Sequence, residues 1–532
     1  MKIYYNGNIL TMDKAIERTE ALAISKDKIS AIGALVELKK IYPEAELVDL
    51  RGRTLMPAFV DGHSHIMSLG SFMEQCNISE CRSFDEILDK IRKYREEKKL
   101  FSGERIRCYA YDLAILKENA HPTAAVLDTL GFDNPIGCWH VSRHMAVYNS
   151  IAMKEAGVDD SYTPPFGGTV GRDSNGHLNG YFEESANRVM SSYMTRGVTE
   201  SFEDNFLRAE EEYLRNGITT IQDGGGVTEE KIKKYIDLDN RGKIRADIVL
   251  YLEPRLKDPD FWKRAKELVE RSSARHIKIG GVKIVLDGSP QAKTAWMLEP
   301  YANEDDYRGY PNHKDEVVMT LLDRATDSGM QVLAHCNGDA AAEQFISAAE
   351  AVSVRKPNST ALRHTMIHAQ TVSYSQLDRM KKIGMLPSFF VGHCYYWGDT
   401  HLKNFGNERG SRISPLRAAL DREMIFSLHQ DSPVTMPNML HSVFCAVNRI
   451  TRSGKTVGEE NRIPVYDALV AATHGGAYCY SEENTKGILK PGAVADLIIL
   501  DSDPTKITPM DIKGISVLET VKSGITVFKK QN

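Results

Sequence analysis

Apolar and polar positions alternate along this chain in two different ways. At the N-terminal end, residues 1–57, the apolar positions come in brief runs at 2–5, 21–24, 28–32 and 46–50, each broken by a turn. The C-terminal end has the same texture at 495–501, 517–521 and 526–529. A period of two sends successive side chains to opposite faces, as half-buried strands require. Neither end is large enough to bury a sheet face alone. The pattern therefore predicts one small β-sandwich built by both termini, residues 1–57 and 486–532.

Between the two ends, strand-like apolar runs alternate with amphipathic helical stretches. The first run ends at His65, and others follow at 218–223, 247–253, 282–287, 331–336, 365–369, 386–391 and 425–431. Eight βα repeats predict an α/β fold of the (β/α)₈ TIM-barrel type over residues 58–485. Such barrels place their chemistry at the C-terminal ends of the strands. The interval of about 70–215 is too long for one βα connection and reads as an inserted subdomain after strand 1, with helices at 84–98 and 202–216. A shorter insertion, 288–313, follows the fourth strand. It carries Trp296, Tyr301, Tyr307 and Tyr310, a candidate substrate wall.

Composition mainly excludes. Charged residues make up 26% of the 532 positions and the formal net charge is -5, so no basic excess proposes nucleic acid or an anionic membrane as partner. A small-molecule substrate is expected. The N-terminus lacks a basic region followed by an apolar core, and no apolar run reaches spanning length, so a cytoplasmic location is expected. The eight cysteines contain no Cys-x-x-Cys pair and read as reduced, buried thiols. Gly224-Gly225-Gly226 lacks the spacing of a dinucleotide or phosphate loop, and no Gly-x-Ser-x-Gly elbow supports a serine nucleophile.

Polar residues at the ends of the predicted strands carry the chemistry. His63 and His65, two apart on an extended segment, project the same way from the first strand. Lys283 lies on the fourth strand, His335 on the fifth, His368 on the sixth and Asp431 on the eighth. Four histidines and a carboxylate around one barrel mouth form the nitrogen and oxygen set that zinc and similar divalent ions take. His393, after the seventh strand, lies on the same rim; substrate binding, helix capping and a solvated position are all open to it. Phe389, Phe390, Tyr395, Tyr396 and Trp397 crowd that strand end, with Trp296 as a candidate opposite. The aromatics past the strand suggest an apolar or aromatic substrate group.

Several phrases go further. They are Pro57-Ala58-Phe59-Val60-Asp61-Gly62-His63-Ser64-His65, Lys283 within 282–289, Ala334-His335-Cys336-Asn337-Gly338-Asp339, Ile367-His368-Ala369-Gln370 and Asp431-Ser432-Pro433-Val434, with residues 487–497 near the C-terminus. Together they resemble the amidohydrolase superfamily, in its branch amidohydrolase family 3. The resemblance implies a metal-dependent hydrolase of amides or related C–N bonds (N-acyl, N-formyl or carbamate type). It implies that His63, His65 and Asp431 hold one metal ion and His335 and His368 a second, with Lys283 bridging them as a carbamate. Zinc is the expected metal, as one ion or two. The implied mechanism uses a metal-activated hydroxide on a polarised carbonyl. Asp431 would take the water's proton and pass it to the leaving nitrogen. Two phrases of the insertion also match: His144, within 142–150, as a catalytic or substrate-binding residue that could reach the substrate carbonyl, and Glu184, within 180–186, as a substrate-binding candidate. A cyclic-amide hydrolase or deaminase of the same superfamily is the alternative. Deaminases place a glutamate shortly after the fifth-strand histidine, whereas Asn337-Gly338-Asp339 follows here, which disfavours deamination. A non-catalytic binding homologue would have lost ligands, and every matched position is present. A homodimer is compatible with the sequence.

Overall fold

Eight parallel strands form the central sheet: β1 Phe59–Val60, β2 Ile218–Val227, β3 Asp247–Leu252, β4 Ile277–Val285, β5 Gln331–Cys336, β6 Thr365–His368, β7 Leu386–Phe389 and β8 Ser427–Leu428. This is a computed structural model that describes residues 1–113, 115–141, 145–165, 168–196, 201–258 and 260–531, with Glu184 described by its backbone. Each strand pairs in parallel with the next in chain order. Beyond the ladder, the Gly62 N–H donates to the Leu428 carbonyl at 3.3 Å and the Asp431 N–H to the His63 carbonyl at 3.2 Å. The sheet thus closes from its last strand onto its first, giving a TIM-barrel-like α/β fold.

Several strands differ in extent from the apolar runs that predict them. β4 starts five residues earlier than expected, at Ile277, because Gly280-Gly281 interrupts the pattern without interrupting the strand. A Cβ at Gly281 would lie 2.1 Å from the Gln331 carbonyl oxygen, so glycine permits the close approach of β4 and β5. β6 and β8 stop sooner than the apolar runs suggest. His368 and Asp431 adopt φ of 72° and 51°, which ends or follows the ladder and turns each side chain out of strand alternation. Left-handed backbone costs a non-glycine residue roughly 1–2 kcal/mol, and such strain gathers where side-chain placement matters.

The terminal segments form two further sheets. Lys2–Tyr5, Ala21–Ser25, Lys28–Gly33 and Glu46–Asp49 make a four-stranded one, and Thr54–Pro57 pairs antiparallel with Leu497–Leu500 in a six-stranded one. Leu22, Ile24, Leu55, Leu497, Ile499 and Val521 are buried in one cluster drawn from both chain ends. The helix Leu35–Ile41 was not expected from the sequence; only Leu38 on it is buried, so its apolar periodicity is faint.

A buried ionic network ties the C-terminal strands to the barrel. The Lys522 ammonium donates to Asp247 Oδ2 at 2.8 Å and to Asp496 Oδ2 at 2.9 Å, and Lys486 reaches Asp247 Oδ2 at 2.6 Å. Burial pushes the Asp247 carboxyl up, but Lys486, His276 and Lys522 outweigh it and hold it far below the usual carboxylate range. A depressed folded pKa contributes stability above the unfolded value of about 3.9, and that stability is lost as pH falls through the folded pKa. Lys522→Met leaves Asp496 without its ammonium partner, while Asp247 keeps Lys486 and His276, and is expected to destabilise the fold by about 3–5 kcal/mol in urea unfolding at pH 7. An unchanged midpoint would show that the network carries no stability.

Residues Met67–Arg208 form a separate compact unit. Its six-stranded sheet contains Ile106–Tyr111 and Ile136–His140 as parallel neighbours. Its helix Phe84–Lys98 is capped by Ser83, whose side chain accepts from the Glu86 N–H. Apolar packing here includes Cys76, Cys81, Cys108 and Cys138, and all eight cysteines of the chain are free and buried. Among the described residues no helix is long and apolar enough to cross a membrane.

Candidate metal centre

Gly62 sets the geometry of the first strand end. A Cβ there would lie 2.5 Å from Ser427 Oγ, so only glycine lets the chain pass β8 this closely. His63 and His65 then follow with ring centroids 4.9 Å apart. Their Nε2 atoms lie 3.5 Å and 3.4 Å from the same oxygen, Asp431 Oδ1. That oxygen is buried and has no hydrogen-bond partner. Burial pushes the Asp431 carboxyl up, but His65, His429 and Lys283 outweigh it and hold it below the usual range.

A second pair faces the first. His335 Nδ1 lies 2.9 Å from His368 Nε2, and His368 Nε2 is 3.9 Å from Asp431 Oδ2. His335 Nε2 is 3.0 Å from the Gly288 carbonyl oxygen, which can only accept. The same Nε2 lies 3.0 Å from Asn337 Nδ2, and Nδ1 is turned toward His368. The Gly288 loop is held in turn by Asp287, whose carboxylate accepts from the N–H groups of Trp296, Asn337 and Gly338 at 3.0, 3.0 and 2.7 Å. Burial, with the nearby Asp339 adding to it, raises the Asp287 carboxyl to about 7 against those three bonds. Lys283 projects from β4 with its Nζ 2.9 Å from His63 Nε2, and burial brings its ammonium down to about 8.

These donors fit a divalent cation. Ligand atoms around a tetrahedral zinc, with bonds of about 2.0–2.1 Å, sit roughly 3.3 Å apart. The Asp431 oxygen and its two imidazole nitrogens are spaced at 3.4–3.5 Å, and an unpartnered buried carboxylate oxygen at their centre otherwise costs stability. The trio His63, His65 and Asp431 could hold one ion. His335 and His368 supply two further nitrogen donors; Lys283 touches the first set at His63, and its charge also acts on His368 and Asp431.

Other expected residues are placed unevenly. His393 is 4% exposed, which rules out the solvated alternative; it begins a helix, His393–Ser411, after Gly392 at the cap. Its ring packs 4.7 Å from both Phe390 and Trp397 and stacks on His401, with Nδ1 and His401 Nε2 3.0 Å apart. Phe390 also lies 6.2 Å from His368 and 5.4 Å from His429, so this aromatic wall is continuous with the histidine cluster. Tyr395 and Tyr396 pack instead on His441, at 4.9 and 5.2 Å. Trp296 is half-buried, and no described hydrogen bond or ring contact joins it to the histidines. His144 and the Glu184 side chain lie outside the described residues.

Two participants escaped the sequence reading. His429 is buried with Nε2 3.2 Å from His368 Nδ1 and Nδ1 2.9 Å from Ser388 Oγ. It stands two residues before Asp431, within the same apolar run at 425–431. Gln222, on β2, lies 2.6 Å from His63 Nδ1. No spacing rule points to it.

Known proteins resemble this chain along its whole length. The YtcJ protein of Bacillus subtilis (strain 168), named as an amidohydrolase, is 26% identical over 99% of this chain and 99% of its own. An N-substituted formamide deformylase of Arthrobacter pascens is 24% identical over 99% of this chain and 98% of its own. The crystal structure of a metal-dependent hydrolase from Pyrococcus horikoshii OT3 superposes with a TM-score of 0.76 at 25% identity, covering 96% of this chain and 99% of that one. The profile of the amidohydrolase family matches residues 46–528. With a barrel whose mouth gathers imidazoles and a carboxylate able to take a divalent metal, the chain belongs to the amidohydrolase family, a group of metal-dependent hydrolases.

Proposed function

We propose that the protein hydrolyses an amide or related C–N bond of a small molecule, of N-acyl, N-formyl or carbamate type. The observation that carries this reading is Asp431 Oδ1, a buried and unpartnered carboxylate oxygen set between the Nε2 atoms of His63 and His65. Those three residues would hold one divalent metal, zinc first, and His335 and His368 a second, joined through Lys283 carrying a carbamate. A divalent metal in such a site lowers the pKa of water from 15.7 to about 7 and polarises a carbonyl oxygen. The chain's own task is proton movement. Asp431 accepts the proton of the attacking water and returns it to the leaving nitrogen, without which an amine leaves poorly. Phe390, His393 and Trp397 form a wall suited to an apolar or aromatic substituent. His144 and Glu184 are assigned to substrate by their family phrases.

The formamide deformylase relative favours N-formyl and N-acyl compounds over ring opening. Deamination is disfavoured by Asn337, which occupies the place next to His335 with its amide donating to the Gly288 carbonyl at 2.8 Å. The test is a screen of N-acyl amines, N-acyl amino acids, formamides and carbamates on metal-loaded protein, with metal content measured in parallel. Carboxylate and amine should appear together, and chelation should remove turnover. Full activity in metal-free protein would overturn the metal reading, and ammonia release without acyl cleavage would favour the deaminase.

A further inference from the structure

Gln222 is fully buried on β2, and its amide makes three hydrogen bonds. Its Nε2 is 3.1 Å from the Gly62 carbonyl and 2.7 Å from the Tyr480 hydroxyl, and its Oε1 is 2.6 Å from His63 Nδ1. The first two contacts decide which way round the amide sits. A carbonyl oxygen can only accept, so the nitrogen must face Gly62. Tyr480 gives its hydroxyl proton to the Asp61 carbonyl, which leaves its oxygen as an acceptor and again demands the amide nitrogen. Oε1 is then held toward His63, and His63 Nδ1 must carry the proton. The lone pair is left on Nε2, the atom beside Lys283 Nζ and Asp431 Oδ1. Free neutral imidazole favours the other tautomer, with the proton on Nε2.

We propose that Gln222, locked by Tyr480, is a positioning residue that commits His63 to the tautomer whose Nε2 lone pair enters the metal centre. The proposal rests on reading His63 as a ligand, as given above. Partners of this kind orient metal-bound imidazoles in general and their loss weakens metal binding. Here the device is built from distant parts of the chain: Gln222 is 159 positions from His63 and 258 from Tyr480.

Two substitutions separate positioning from packing. Gln222→Leu removes the acceptor for His63, whereas Gln222→Glu keeps an oxygen facing Nδ1 while losing the amide donors and adding a carboxylate. Both should lower the thermal midpoint, because Gly62 and Tyr480 lose a donor in each. By competition with a chelator for zinc, the dissociation constant should rise about 10–100-fold in Gln222→Leu and stay near wild type in Gln222→Glu. Wild-type affinity in Gln222→Leu, or equal weakening in both, would overturn the proposal. If Gln222→Leu does not fold, the ¹⁵N shifts of the His63 ring in metal-free wild-type protein decide: a protonated Nδ1 supports it and a protonated Nε2 overturns it. That readout needs no metal, so wild-type protein that takes up no zinc would sink the functional reading, and a protonated Nε2 this one.

Discussion

Asp431→Asn should lower turnover by about 10³-fold or more while leaving the protein folded. Positioned proton transfer contributes roughly 10²–10⁴-fold, and the substitution also removes the one anionic donor among His63, His65 and Asp431. Asparagine has nearly the same shape. The backbone bonds that hold the residue, its N–H to the His63 carbonyl at 3.2 Å and its carbonyl to the Val434 N–H at 2.8 Å, do not involve the side chain. What the substitution removes is the negative charge that faces His63 and His65 at 3.5 and 3.4 Å. A melting temperature near wild type with collapsed kcat is therefore the expected pair of results. Wild-type kcat in this variant would remove Asp431 from proton transfer, and an unfolded protein would mean that the carboxylate serves the fold.

Lys283→Ala should cost the protein most of its metal, and short carboxylic acids should restore part of it. An ammonium cannot ligate a cation. A neutral amine can add to CO₂ with loss of a proton, and the carbamate presents two anionic oxygens. Burial brings Lys283 down to about 8, so the neutral form is accessible near physiological pH. Its Nζ lies 2.9 Å from His63 Nε2, within the histidine cluster. Alanine leaves a gap there that a small carboxylate can enter. Metal content unaltered by the substitution would refute the bridge, and loss of metal without any rescue would leave Lys283 as a packing residue of the mouth. Because the alanine also removes a buried amine from beside imidazoles, the metal-free variant is not expected to lose stability.

Much of this arrangement was legible before any coordinates. The run at residues 331–336 became β5 without change, since its apolar centre Val332-Leu333-Ala334 is bounded by Gly329 before it and Asn337-Gly338 after it. β1 and β8 were harder: only Phe59–Val60 and Ser427–Leu428 pair in the barrel sheet, and residues 61–65 and 429–431 continue past them at the strand ends. His63, His65 and Asp431 could be nominated because each ends a predicted strand, and barrel topology brings strand ends together. The sequence leaves three readings open to His393, and burial against Phe390 and Trp397 removes the solvated one.

What the sequence by itself determined is what depends on local pattern: the period of burial, the number of βα repeats, and the residue types at strand ends that can bind a metal. Those follow from spacing along one element, which a chain displays directly. What only the tertiary structure decided is which nitrogen of each imidazole faces the centre, that His429 stands behind His368, that Gln222 and Tyr480 stand behind His63, and that Lys522 locks the C-terminal strands to Asp247. These are hydrogen bonds between residues tens to hundreds of positions apart. Each is fixed by how distant segments pack, around the barrel mouth or between the barrel and the terminal strands, and hydrogen bonds across such distances leave no period in the sequence.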